Sequence, residues 1–393
     1  MKILLLASAS GYGGAEVHTL KLAAALAGRG HSVTIVARGS QFYQGRLDQR
    51  DSRLRLRALG GERMPSPMGY REWRGVFRTM PANVAVLAKS SFRTGSIGLD
   101  LAARFSFGRY FTIEHSLPPV KPAKASRSHA GGLVPGLGLW WYRERVANYL
   151  RSVGPVHVYC VSDAVRDALL ANCAFPQRKV STVRNGVDAD RFRPNEDWRK
   201  KWRAALGVSD DTLVFGSVGR LVPEKAYDTI IRLFASLAGE MPGTPMRLVL
   251  VGTGPEEEAL RGVARTSGAG HLVAFFGFSE CPWEVICAFD VFLLLSRTEG
   301  LGLSLCEAMA CECFCIASAT GGMPEVISER SVGWLVPPED EKAILEAMRA
   351  TVRMPTGERR EIGRSARKHM VANFNEAAQM ANLADLLCRT NIA

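Results

Sequence analysis

No stretch of this 393-residue chain approaches the roughly 20 consecutive apolar residues that a membrane-spanning helix needs. Its nine cysteines include no Cys-x-x-Cys pair, which disfavours a zinc ribbon or a thioredoxin-type redox centre. No internal repeat or low-complexity block stands out, so solenoids and disordered tails are not indicated. The start, "MKILLLASAS", resembles a secretory leader only superficially: its apolar run is short, and an amphipathic pattern follows at once. It reads as a first buried strand. An odd number of cysteines without a leader fits reduced thiols and a cytoplasmic setting.

What is present is the composition of a globular protein, 47% apolar and 22% charged. A chain this long exceeds one ordinary core, so two domains of roughly 200 residues each are expected. The net charge of +12 is uneven: residues 1–190 carry 27 Lys and Arg against 12 Asp and Glu, and the rest carry 23 against 26. The densest basic part runs from Arg46 to Arg78 and includes "RLRLR". Such a face suits an anionic lipid surface, a phosphorylated acceptor or nucleic acid, or is simply a solvated face.

Along the chain, "KILLLAS", "AEVHTLKLAAALAGRG" and "HSVTIVA" read as strand, helix and strand, a right-handed βαβ unit. A second such series opens at "TLVFGSVGRL" and alternates through "DTIIRLFASLA", "RLVLVG", "EEEALRGVA", "VAFFGF", "DVFLLLS", "LSLCEAMA" and "FCIAS". The alternation predicts an α/β chain of two doubly wound, Rossmann-like parallel-sheet domains. The turn-rich "NGVDADRFRPNED" marks the join. The region from 40 to 110 has mixed periodicity and its elements are not placed.

Several strand ends carry candidate chemistry. Gly11, Gly13 and Gly14 precede the first helix, where backbone N–H groups can meet an anion. Their spacing is not the dinucleotide fingerprint, and Arg38 stands where NAD binding wants an acid; an NADP-type phosphate contact through Arg38 stays open. Arg220 and Lys225, in a loop after a strand, suit a diphosphate, Arg by its fork and Lys as a point charge. "LVGTGP" places Gly252 at another strand end.

In "SRTEGLGLSLCEAMACECFC", Glu299 and Glu307 stand eight positions apart. One continuous helix would separate them by roughly 12 Å. Gly300 and Gly302 argue instead for a loop carrying Glu299 and a helix starting near Ser304. That arrangement turns both carboxylates toward one ligand, with the helix N-terminus offered to phosphates. Cys311, Cys313 and Cys315 lack structural zinc spacing and read as small core residues. "DAD" at 188–190 imitates a manganese motif but reads as a turn.

Together "GGAE", "NGVD…RF", "VGRLVPEK", "VGTGP", "EGLGLSLCEAMA" and "GGMPEVI" resemble the family-4 retaining glycosyltransferases of the GT-B fold. The resemblance implies two Rossmann-like domains facing across a cleft, at 1–187 and 188–374, with a helix over about 375–393 returning to the first. It implies a nucleotide-diphosphate sugar donor of UDP or GDP type, no metal, and a glycan, lipid-linked or other acceptor. It further implies that Arg220 and Lys225 neutralise the diphosphate, and that Gly13 and Gly14 approach it. By the same resemblance Glu299 binds hydroxyls of the sugar, Leu301, Gly302 and Leu303 offer backbone N–H groups, and Glu307 holds the ribose. His115 in "FTIEHSLPP" matches the family's histidine near the reacting centre, and Phe278 lies where the base pocket forms.

The chain departs from the family pattern at Ala226, where Gly is usual, and at Glu312 and Phe314, where Gly and Pro are usual. The basic first half, with Trp140, Trp141 and Tyr142 beside Arg143 and Arg145, raises a peripheral place on the inner membrane face; an aromatic packing patch is the alternative. Nucleic acid is not an expected partner. Two rival readings are an NADP-dependent reductase, which leaves Glu299 and Glu307 unexplained, and a non-catalytic sugar-nucleotide or lipid-binding protein.

Overall fold

The structure is a computed structural model that describes residues 1–7, 13–37, 41–47, 51–58, 70–89, 97–118, 149, 151–173 and 175–389. The chain divides into two compact units, Met1–Arg184 with Met380–Ala393, and Asn185–Gln379. The dividing point at 184/185 falls at the head of the turn-rich "NGVDADRFRPNED" segment.

The first unit is built on β1 (Lys2–Ala7), β2 (Ser32–Ala37), β3 (Leu54–Ala58), β4 (Val84–Lys89), β5 (Arg109–Glu114), β6 (His157–Cys160) and β7 (Val180–Thr182). All pair in parallel in the order β3-β2-β1-β4-β5-β6-β7. Central strands of a sheet covered on both faces are continuously apolar, and β1 and β4 are accordingly buried almost throughout. The connecting helix Gly14–Gly28 buries Leu22, Ala23, Leu26 and Ala27, and Gly30 at φ +82° turns the chain out of it. Helix Glu376–Cys388 buries Met380, Leu383, Ala384 and Leu387, and within this unit its Asp385 accepts from Arg29 Nε at 3.0 Å.

The second unit carries β8 (Leu213–Val218), β9 (Met246–Val251), β10 (Val273–Gly277), β11 (Val291–Leu294), β12 (Phe314–Ser318) and β13 (Trp334–Val336). The order is β10-β9-β8-β11-β12-β13, the paired strands again parallel. One layer of its core packs Phe215, Ile230, Phe234, Leu248, Leu293 and Ile316. Both sheets are doubly wound, as the alternation of elements implied. In each, the strand order reverses once, between β1 and β4 and between β8 and β11. At such a reversal the loops leaving the two strands splay apart and open a crevice for a ligand.

The region left unplaced by periodicity holds β3, helix Tyr70–Arg78, β4 and helix Ile97–Ser106. Among the described residues, no helix is long and apolar enough to cross a membrane.

Candidate functional site

The second unit gathers its candidate residues at its strand-order reversal. After β8 the chain makes a single 3-10 turn, Pro223–Lys225, and Ala226 in the left-handed region (φ 53°) redirects it into helix Tyr227–Glu240. After β11 comes Glu299. Lys225 Nζ lies 2.7 Å from Glu299 Oε2, both side chains largely covered. A Cβ on Gly219 would sit 3.6 Å from Lys225 Cε and 2.9 Å from the Tyr227 hydroxyl, so a bare glycine makes room for the lysine stem. Arg220 is exposed, and among the described residues its guanidinium has no hydrogen-bond or ion-pair partner. An unpaired cation at the end of β8 therefore shares this loop with an internally neutralised pair.

Arg297, which carried no assignment from sequence, ties the two loops together. Its guanidinium donates to the Pro223 carbonyl and, at 3.2 Å each, to Asp228 Oδ1 and Glu339 Oε1. Its backbone N–H donates to the Glu224 carbonyl at 2.8 Å. Gly321 (φ +54°) packs so closely that a Cβ there would lie 1.8 Å from the Glu299 carbonyl oxygen, and Gly322 N donates to Gly300 O at 3.0 Å. The "GGMPEVI" motif thus works as a backbone brace for the Glu299 loop. Gly252 (φ +137°) serves the neighbouring strand end, where a Cβ would fall 1.9 Å from Gly219 O. Phe278 follows Gly277 and is 47% exposed.

Leu301 is buried, and Gly302 in the left-handed region (φ 92°) begins helix Leu303–Ala310 without a side-chain cap. Its first-turn N–H groups, Leu303 and Ser304, lack intrahelical partners and are available to an anion. Glu307 is half-buried on this helix. Glu299 and Glu307 both bear on the buried Cys306 thiol, which burial first and these carboxylates second push up. Cys311, Cys313 and Cys315 are buried in the core, their thiols held up by burial. Among the described residues no cluster of three or more His, Cys, Asp or Glu is arranged to hold a metal. Asp188 Oδ1 accepts from Asp190 N at 3.2 Å and Arg191 N at 3.1 Å, so "DAD" is a turn.

In the first unit Gly13 caps helix Gly14–Gly28 with extended backbone, and a Cβ on it would meet Glu16 Oε2 at 2.8 Å. Gly14 is exposed. His115 follows β5 directly, and its N–H donates to Lys89 O at 3.1 Å. Burial lowers its pKa to about 4. Its ring meets that of His18, another residue without a sequence assignment, at a centroid distance of 4.7 Å. Gly11, Arg38, Trp140, Trp141, Tyr142, Arg143 and Arg145 lie outside the described residues.

Comparison with known proteins decides the family. Residues 12–191 match the model of the family described as Glycosyltransferase Family 4, and residues 199–369 that of Glycosyl transferases group 1. The chain belongs to the family-4 glycosyltransferases. This family-4 chain is 36% identical over 200 residues to a D-inositol 3-phosphate glycosyltransferase of Saccharomonospora viridis, covering 48% of its own length and 46% of the relative's. It is 33% identical over 227 residues to a GDP-mannose-dependent alpha-(1-6)-phosphatidylinositol monomannoside mannosyltransferase of Mycolicibacterium smegmatis, covering 55% and 58%. The match thus spans about half the length of these curated relatives. The crystal structure of Anabaena Alr3699/HepE in complex with UDP superposes with a TM-score of 0.77 at 20% identity, covering 98% of this chain and 99% of that one. That likeness shows the fold, which is GT-B.

Proposed function

We propose that this chain is a retaining glycosyltransferase that moves a sugar from a nucleotide-diphosphate sugar of UDP or GDP type to a glycan, lipid-linked or other acceptor. The observation that carries the reading is the exposed, unpaired Arg220 beside the Lys225–Glu299 pair, at the strand-order reversal of a family-4 chain. The named activities of the relatives and the UDP held by the solved neighbour support a sugar-nucleotide donor.

In this reading Arg220 and Lys225 stabilise the charge that develops on the departing diphosphate, an electrostatic contribution aimed at the transition state. An acceptor hydroxyl attacks the anomeric carbon on the face the nucleotide leaves. The carbon–oxygen bond to the diphosphate breaks, its electron pair goes to the diphosphate, and a donor phosphate oxygen takes the acceptor proton. In this reading two side-chain cations do the work a metal does elsewhere, so none is required. Glu299 takes sugar hydroxyls, Glu307 the ribose, and the first turn of helix Leu303–Ala310 the phosphates. In the first unit, His115 and the Gly13–Gly14 turn carry the roles the family resemblance implies.

The first unit's exposed Arg53, Arg55, Arg57, Arg71 and Arg78, with Phe105 65% exposed, support a peripheral place on an anionic cytoplasmic membrane face. Vesicle sedimentation tests it: binding that fails to rise with anionic lipid content at low salt removes this part of the reading.

A thermal-shift panel of UDP, GDP, ADP and NADP, followed by sugar-nucleotide turnover with extracted membrane lipids, tests the function. Stabilisation by UDP or GDP with nucleotide release is expected; stabilisation by NADP alone overturns it.

A further inference from the structure

His18 stands on the second turn of helix Gly14–Gly28, and His115 stands immediately after β5. Their rings meet edge to face at 75° with centroids 4.7 Å apart. His18 is 5% exposed. His18 Nδ1 and His115 Nε2 are both buried, and neither has a hydrogen-bond partner among the described residues. An imidazole is ordinarily oriented by a group bonded to the nitrogen that does no chemistry. His115 has no such group on Nε2.

The backbone of His115 is nevertheless held firmly. Its N–H donates to the Lys89 carbonyl at 3.1 Å, while Lys89 Nζ lies 3.2 Å from the Oε1 of the preceding Glu114. Lys89 and Glu114 are each 1% exposed, so this clasp is locked in the core. With the peptide fixed, the orientation of the His115 ring is left to its two side-chain torsions. The ring packed against it is His18.

We infer that His18 is a positioning residue for His115: its ring holds the plane of the His115 imidazole and keeps water from that side of it. The inference rests on the reading of His115 as a reaction-side group. It accounts for a second buried imidazole, on the first helix, whose one ring contact among the described residues is with His115. Among the described residues, the charged groups on the elements that meet here are Glu16 and Lys21 on the helix of His18, of which Lys21 acts on His18, and Lys89 and Glu114 at the ends of β4 and β5, with Asp100 Oδ1 3.8 Å from Lys89 Nζ.

Two variants separate packing from fold. His18→Phe keeps a ring of similar shape, whereas His18→Ala opens a space for water. In the full chain, the Cε1–H resonance of His115 is titrated by NMR, and kcat and donor KM are measured with UDP- and GDP-sugars. In the wild type and in His18→Phe the midpoint is expected near 4, where burial holds it. In His18→Ala it rises toward the ordinary imidazole value, and kcat falls by up to about a hundredfold with donor KM unchanged. An unmoved midpoint with unchanged kcat in His18→Ala overturns the inference, as does a His18→Phe variant that is as impaired as His18→Ala while still folded. If His115→Ala itself transfers sugar at the wild-type rate, the reading of His115 fails, and the midpoint shift alone decides whether His18 shields it.

Discussion

Lys225 Nζ and Glu299 Oε2 are 2.7 Å apart, so the two groups proposed to hold opposite ends of a donor hold each other in its absence. Binding then exchanges one charge-assisted hydrogen bond for two, lysine to phosphate and glutamate to sugar hydroxyl. Removing the glutamate's charge frees the lysine. Glu299→Gln is therefore expected to bind the bare nucleoside diphosphate about tenfold more tightly, the worth of one such bond, while sugar transfer falls. Calorimetric titration with UDP or GDP, paired with turnover, checks this. Unchanged affinity together with unchanged turnover rules out the exchange.

The two cations differ in what they lose. Lys225→Ala removes a point charge at the leaving group and is expected to cost about 3 kcal/mol, roughly a hundredfold in kcat. Arg220→Lys keeps a charge but loses the planar fork, so a smaller loss is expected. Steady-state turnover distinguishes them. Lys225→Ala at the wild-type rate sinks the assignment.

Two of the departures from the family's usual residues turn out to share one cause of strain. Ala226 (φ 53°) and Glu312 (φ 65°) both occupy the left-handed region where the family has glycine. A Cβ there costs about 1–2 kcal/mol, part of which glycine returns through its freer unfolded chain. Glu312 is also pressed against helix Thr356–Asn373, where a Cβ on Gly363 would lie 2.1 Å from Glu312 O. Glu312→Gly should stabilise the chain by about 0.5–1 kcal/mol, read from urea unfolding. Gly363→Ala should destabilise it by about 3 kcal/mol, since a backbone atom must move. A neutral Gly363→Ala would remove the close approach. The third departure, Phe314, is a buried strand residue whose N–H donates to Asp290 O at 3.3 Å, a bond proline lacks.

Local pattern carried most of the fold. "LSLCEAMA" and "FCIAS" coincide with helix Leu303–Ala310 and β12 because eight residues with one buried face, and five continuously buried ones, leave little else to be. β3 was illegible for the opposite reason. It is a sheet-edge strand, "LRLRA", paired on one side only among the described residues, and its arginines are exposed, so little in its composition marks burial. In the site, residue types and strand ends were readable, because glycine and charge at a strand end are local signals. The Lys225–Glu299 pair, the Arg297 tie and the His18–His115 contact span 74, 74 and 97 positions respectively. Only folding brings such residues together, and no local period announces it. The nearest available signal was the "GG" of "GGMPEVI", whose Gly321 braces the Glu299 loop.

Burial holds the imidazoles of His18 and His115 below the usual value, that of His115 at about 4. Between that value and the ordinary 6.5, the unfolded chain binds more protons than the folded one, so stability rises with pH. The contribution is complete above the unfolded value and is lost as pH falls toward the folded one. His31 and His157, also lowered by burial, act in the same sense, while Glu114, held up by burial, acts oppositely. For His115 alone the change between pH 7 and pH 5 amounts to about 2 kcal/mol. Urea unfolding of the wild type and of His115→Phe at the two pH values measures it together with the part of the His18 shift that His115 causes, because the remaining groups are common to both. The variant should lose about 2 kcal/mol less on acidification. An identical loss in both proteins would mean that His115 is protonated as readily in the folded chain as in the unfolded one.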